Sequence, residues 1–145
     1  MKSVLKFIVA TIFALQSLNS AIAQPSVYIG FDGWLPWVNT TQTAVFSAGD
    51  TLTSKTNIEL ANNTNATLIG WVETTIDGAE KQTIGPIIMP SLSTTYINAT
   101  RTKPNATAVN HTIKATVTIK DSLGNIVGDG ENEHIYTPSG GGPPQ

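Results

Sequence analysis

Along residues 111–120, Ile113, Ala115, Val117 and Ile119 alternate with Thr112, Lys114, Thr116, Thr118 and Lys120. A period of two turns successive side chains to opposite faces, so this segment predicts a strand with one face in a core and one in water. Elsewhere Thr, Val and Ile dominate, Pro and Gly recur at short intervals, and no window sustains a 3.6-residue apolar repeat. The chain therefore predicts an all-β fold with about seven strands, at 27–31, 44–47, 51–60, 67–76, 80–84, 91–99 and 112–120. Short returns are expected at 126–127 and 134–136.

Individual segments differ in how clearly they read. In 51–60, Leu52, Ile58 and Leu60 share one parity, but Ser54 and Thr56 dilute the stripe, which predicts an edge-like or half-buried strand. In 67–76, Leu68, Val72 and Ile76 lie on one parity and Ile69 and Trp71 on the other, which predicts a central strand. Asp77-Gly78 is a two-residue hairpin signal, because a type I′ turn requires positive φ. Asp121-Ser122-Leu123-Gly124-Asn125 reads as a longer hairpin loop. Pro86, Pro90 and Pro104 are expected between strands, where a missing N–H harms no ladder. Turn signals at this spacing favour an antiparallel immunoglobulin-like two-sheet β-sandwich over a closed barrel.

The first 23 residues change the setting. Lys2 and Lys6 precede an apolar run from Phe7 to Leu15, and Ala21-Ile22-Ala23 supplies a small-x-small cleavage pattern. The expectation is a signal peptide at 1–23, a β-sandwich domain at 24–137 and a flexible Gly/Pro-rich tail at 138–145. That predicts a secreted, extracellular protein, with the bacterial periplasm as the alternative. Neither a spanning segment nor a lipid-anchor tail is read after the leader, so no stable membrane anchor is expected. Cysteine is absent, which leaves apolar packing and backbone pairing to hold the fold.

Charge narrows the partners. Without the leader the chain keeps six basic against ten acidic side chains, a net of −4. Arg101 stands alone and the lysines are scattered from Lys55 to Lys120, so the clustered basic surface that nucleic acid requires is missing.

The segments Ala48-Gly49-Asp50-Thr51-Leu52, the Asn-rich loop at 60–64, the Trp71 strand, Asp77-Gly78, Ser93-Thr94-Thr95 and the alternating strand ending at Asp121 occur in an order that resembles the bacterial cell-adhesion-related (CARDB) immunoglobulin-like domain. Asp129-Gly130-Glu131-Asn132-Glu133 is similar to that family's closing acidic segment. The resemblance covers about 46–133. It implies a surface or adhesion-type accessory module and carries over no catalytic residue. It also implies that Trp71 is the core tryptophan of such folds.

Candidate chemistry is sparse. Asn-x-Thr occurs at Asn39, Asn62, Asn65, Asn98, Asn105 and Asn110, six of the ten asparagines after the leader. Each is an N-glycosylation acceptor in a host that uses the motif and each would then mark exposed surface; the alternative is Thr-rich strands with Asn turns. Asn98 shares its parity with Leu92 and Tyr96, so either its strand ends before it or the site is unused. Trp34-Leu35-Pro36-Trp37 puts two indoles on a Pro-containing loop. Trp34 and Trp37 either plug one end of the sandwich or bind a ligand, since indoles stack on sugar rings and anchor protein interfaces. An exposed cluster of Trp34, Trp37 and Tyr28 would favour sugar.

The acidic run 129–133 reads as a solvated loop, and no metal or cofactor is expected. His111 and His134 are the only histidines, and neither sits in a recognisable Ser-His-Asp setting; His111, inside a glycosylation motif, is an unpromising buried base. The chain thus reads as a non-catalytic recognition or structural module whose partner is an extracellular glycan or protein. A secreted protein-interaction factor, such as an effector or assembly subunit, is the alternative. A small glycoside-active hydrolase, needing two facing carboxylates, is third.

Overall fold

The computed structural model describes residues 23–32 and 37–139. Residues 1–22, residues 33–36 with Trp34, and residues 140–145 lie outside the described residues, and with them nearly all of the expected signal peptide and most of the expected tail. Ten strands follow in order: β1 (Ser26–Phe31), β2 (Trp37–Val38), β3 (Thr41–Gln42), β4 (Val45–Phe46), β5 (Leu52–Asn62), β6 (Leu68–Ile76), β7 (Ala79–Met89), β8 (Ser93–Lys103), β9 (His111–Lys120) and β10 (Ile126–Pro138). There is no helix among the described residues.

Two sheets face each other. In the first, β5 pairs along one side with β1 and then β2, and along the other with the whole of β8; β3 extends β2. The second runs β4-β10-β9-β6-β7. The all-β sandwich expected from the alternation is therefore the fold, with ten strands instead of about seven. The small strands β2 and β3 add to the count, and β4 runs parallel to β10 through Val45–Thr137 and Phe46–Pro138.

Inward-facing residues of both sheets form two apolar clusters. One gathers Ile29, Ile58, Leu60, Leu68, Val72, Met89, Ala115, Val117 and Ile119. The other gathers Val38, Phe46, Leu52, Ile76, Ala106, Ile113 and Tyr136. A polar belt separates them. On β5 it consists of Ser54 and Thr56, and on β6 of Thr74, all buried. Arg101 reaches in from β8, opposite Ser54, and its Nη1 donates to Thr74 Oγ1 at 2.9 Å and Thr74 O at 3.0 Å. Its Nη2 donates to Glu80 O. This belt explains why β5 looked diluted in sequence. It is the central strand of its sheet, not an edge, and its hydroxyls occupy interior positions.

Other expectations need correction. Trp71 is half-buried on the outer face of β6, with Lys120 Nζ 5.3 Å from its ring centroid. It is not a core residue, because the parity of Leu68, Val72 and Ile76 takes the interior. Pro86 lies inside β7, where Gly85 and Pro86 together stand opposite Trp71 as a bulge between the Gly70–Ile87 and Val72–Ile84 pairs. An edge strand tolerates proline there. The acidic run 129–133 is part of β10, which joins the two short returns into one strand paired with β9. Its glycines hid it: a Cβ at Gly128 would come within 2.9 Å of Pro25 Cγ, and one at Gly130 within 2.9 Å of Val27 Cγ1. The inner face of β10 is bare there because β1 presses against it.

The two turns form as read. Asp77 and Gly78 both have positive φ (53° and 76°) and join β6 to β7. Asp121 Oδ1 accepts from the backbone N–H groups of Leu123 and Asn125, each at 2.9 Å. The Asn125 backbone bond leads the causes that hold the Asp121 carboxyl below its usual value.

Candidate functional site

The outer face of the first sheet carries the most distinctive side chains of the molecule. Because side chains alternate, the outward positions are Ser26, Tyr28 and Gly30 on β1, Asn57, Glu59 and Ala61 on β5, and Thr94, Tyr96 and Asn98 on β8. The registers align them in rows: Tyr28–Glu59–Tyr96, and next to it Gly30–Asn57–Asn98. Adjacent strands lie ~4.8 Å apart, so the two tyrosines stand roughly 10 Å from each other with one strand between.

Tyr28 is 64% exposed and Tyr96 71%. The Tyr28 ring folds back along its own strand. A Cβ at Gly30 would lie 2.8 Å from its Oη, 3.0 Å from Cε1 and 3.1 Å from Cζ. The absence of a side chain at Gly30 is what lets the ring lie down on the sheet. Glu59, between the two tyrosines in register, is half-buried.

Trp37 shares this face through its pairing with Thr53, two rows beyond Asn57 on β5. It is half-buried, its Nε1 is buried without a hydrogen-bond partner, and Lys55 Nζ sits 4.1 Å from its ring centroid. The tryptophan pair anticipated from sequence is thus represented by Trp37 alone, with Trp34 outside the described residues. The tyrosine row was not singled out, although Thr94, Thr100 and Thr102 on the parity of Tyr96 were a signal for the wet face.

The six acceptor asparagines divide sharply. Asn39, Asn65, Asn98, Asn105 and Asn110 are exposed. The conflict over Asn98 disappears because Leu92 and Tyr96 are exposed as well, and Ile97 and Ala99 face inward. Asn39, in the β2–β3 turn, has its amide engaged: Nδ2 donates to Asp50 Oδ1 at 3.2 Å and Oδ1 accepts from Thr51 N at 3.0 Å. Asn62 is 1% exposed. Its Nδ2 donates to Ala66 O, Met89 O and Pro90 O at 2.8, 2.9 and 3.0 Å, and its Oδ1 accepts from Thr64 N and Thr64 Oγ1 at 3.0 and 2.7 Å. In the folded chain that nitrogen has no room for a sugar.

His111, contrary to the sequence reading, is buried at 3% exposure. Its Nε2 lies 2.9 Å from Thr107 O and its Nδ1 2.7 Å from Asp77 Oδ2. Carbonyl and carboxylate oxygens only accept, so a ring nitrogen bonds here by donating, whichever of the two carries the proton. Asp77 Oδ1 also accepts from Thr112 N at 2.8 Å, and Lys103 Nζ stands 3.8 Å from Oδ2. Burial pushes the Asp77 carboxyl up, but the bonds from His111 and Thr112 and the nearby positive charges outweigh it and hold it below its ordinary value. This cluster fastens the β6–β7 turn to the start of β9.

His134 lies between Phe31 and Tyr136, with ring centroids at 5.2 and 5.1 Å, and burial lowers its pKa. Burial likewise pushes the Tyr136 phenol up to about 12, against a smaller opposing effect of Ser54, whose own hydroxyl is not in hydrogen-bond geometry; the phenol donates to Thr53 O at 2.7 Å.

Among the described residues no group of three or more His, Cys, Asp or Glu is placed to hold a metal ion. The acids of 129–133 spread along β10, where Glu131 pairs with Lys114 at 2.9 Å and Asp129 and Glu131 rim a depression of about 270 Å³ with Thr116 and Gly130. No protein-family model matches the chain, and no curated protein matches it either.

Proposed function

We propose that the mature chain is a secreted, non-catalytic recognition module that holds carbohydrate on the outer face of its first sheet. The observation that carries this reading is the Tyr28 ring, laid down over Gly30 and exposed, in one row with the exposed Tyr96. Aromatic rings presented flat on a rigid sheet stack against the C–H faces of pyranoses, and their separation across β5 suits an extended chain of about two sugar units. Asn57 and Asn98, in the adjacent row, supply amide groups for sugar hydroxyls. The resemblance to an adhesion-related module points in the same direction.

The test is calorimetric titration of the mature chain with oligosaccharides of increasing length, beside Tyr28→Ala, Tyr96→Ala and Gly30→Ala. Each tyrosine truncation should weaken binding about tenfold, equal to ~1.4 kcal/mol. Gly30→Ala should weaken it too, by lifting the ring without removing it. Binding that all three variants retain at full strength rules this face out.

One observation favours a protein partner as the second reading. On the outer face of the second sheet, Ile88, Ile69, Lys120 and Ile126 form one row, with Ile88 and Ile126 exposed. Such a row suits a protein interface better than a sugar. If Ile88→Lys abolishes capture of a partner from the native environment while the tyrosine variants do not, this face is the recognition surface.

A further inference from the structure

We propose that Glu59 tunes the tyrosine face toward a cationic amino sugar, that is, an oligosaccharide of hexosamine units bearing free ammonium groups. The inference rests on the reading of this face as a sugar platform and names the class of sugar.

Glu59 differs from most carboxylates of the chain in being half-buried on a sheet face with no hydrogen bond or ion pair to another described residue. Asp50, Glu73, Asp77, Glu80, Asp121 and Glu131 each accept from, or pair with, a named partner. Glu59 is instead set in register between Tyr28 and Tyr96. A ligand that reaches from Tyr28 to Tyr96 crosses β5 at Glu59 and its neighbour Asn57. The partial burial of Glu59 removes some of its water, which strengthens its field on a cation above it.

The charges around it favour the same ligand. The other outward residues of its own and the adjacent rows are Ser26, Gly30, Asn57, Ala61, Thr94 and Asn98, none of them ionisable. The nearest cation on this face is Lys55, two rows away on β5 and already placed over the Trp37 ring. A neutral or N-acetylated sugar offers Glu59 only uncharged donors. The ammonium of a hexosamine offers a charge-assisted N–H···O⁻ bond, about twice as strong, together with attraction to the negative faces of both rings. The net charge of −4 on the leader-free chain draws the same ligand from a distance.

The experiment compares three oligomers of equal length on the mature chain: neutral hexose, N-acetylhexosamine and free-amine hexosamine. Binding is measured by calorimetry at low and high salt. The free-amine oligomer should bind about tenfold or more tightly than its N-acetylated twin, and salt should shrink that ratio. Glu59→Gln should bring the ratio close to one while its thermal melt stays that of the parent, and Glu59→Asp should keep part of it. If the N-acetylated and neutral oligomers bind and the free-amine form binds no better, or if Glu59→Gln leaves the ratio unchanged, the amino-sugar preference is wrong and the platform stands. If none of the three binds, the sugar reading itself fails and this inference falls with it.

Discussion

Replacing Asn62 by Asp changes one atom of the side chain and reverses its meaning. The Asn62 nitrogen supplies two hydrogens to three carbonyl oxygens, those of Ala66, Met89 and Pro90. In the variant an oxygen faces all three at similar distance, in a site 1% exposed. Two or more donated bonds are lost at about 1 kcal/mol each, and a buried carboxylate that keeps the two Thr64 donors on one oxygen turns its other oxygen on three carbonyls, which costs about 1–3 kcal/mol more.

A destabilisation of about 3–5 kcal/mol is therefore expected for Asn62→Asp at neutral pH. Asn62→Ala, which leaves unsatisfied carbonyls but no charge, should cost about 2–3 kcal/mol, and Thr64→Ala about 1 kcal/mol. Urea unfolding of residues 24–145, analysed with a common slope, gives the order directly. At about pH 4 the deficit of Asn62→Asp should narrow, because a protonated acid regains an O–H donor, whereas that of Asn62→Ala should not. If Asn62→Asp lies within about 1 kcal/mol of the parent, or is milder than Asn62→Ala, the hub is not what holds this end of the sandwich.

Three further outcomes are expected. The folded-state pKa of Asp77 is lowered, so its stabilising contribution is complete above the unfolded carboxylate value of about 3.9 and is lost as pH falls through the depressed one; an acid-unfolding series on Asp77→Asn should show that part of the acid limb flattened. In a glycosylating secretory host, peptide mass spectrometry of correctly folded chains should find sugar at exposed Asn65, Asn98, Asn105 or Asn110 and none at Asn62, and a sugar on Asn98 should compete with oligosaccharide for the adjacent Tyr96. Gly130→Val should destabilise by about 1–3 kcal/mol, because its Cβ would collide with Val27 Cγ1, and hydrogen exchange should then accelerate in β1 before the rest of the first sheet.

The sequence reveals strands wherever the alternation is chemical as well as geometric. Residues 111–120 show this, with aliphatic residues inward and Thr or Lys outward. It conceals them where the inner face is polar or empty for a reason that lies in another strand. Ser54 and Thr56 belong to a belt completed by Thr74 and Arg101. Gly128 and Gly130 are small because Pro25 and Val27 lean on them. Tyr96 illustrates the same blindness at the candidate site: a tyrosine on a strand resembles core until Ile97 and Ala99 are seen to take the inner face. Tyr28 needed Gly30, two residues on, to be recognised as a platform. The Asn62 hub depends on carbonyls 27 and 28 residues away, and no local pattern announces it.

The lean of β1 on Gly128 and Gly130 of β10 has a consequence for how the chain acquires its shape. A polypeptide emerging amino end first presents its opening strand about a hundred residues before the surface that will cover it, as the Asn132-to-Ile29 bond across 103 positions illustrates. With so many couplings between distant positions, closure is slow and awaits near-complete synthesis.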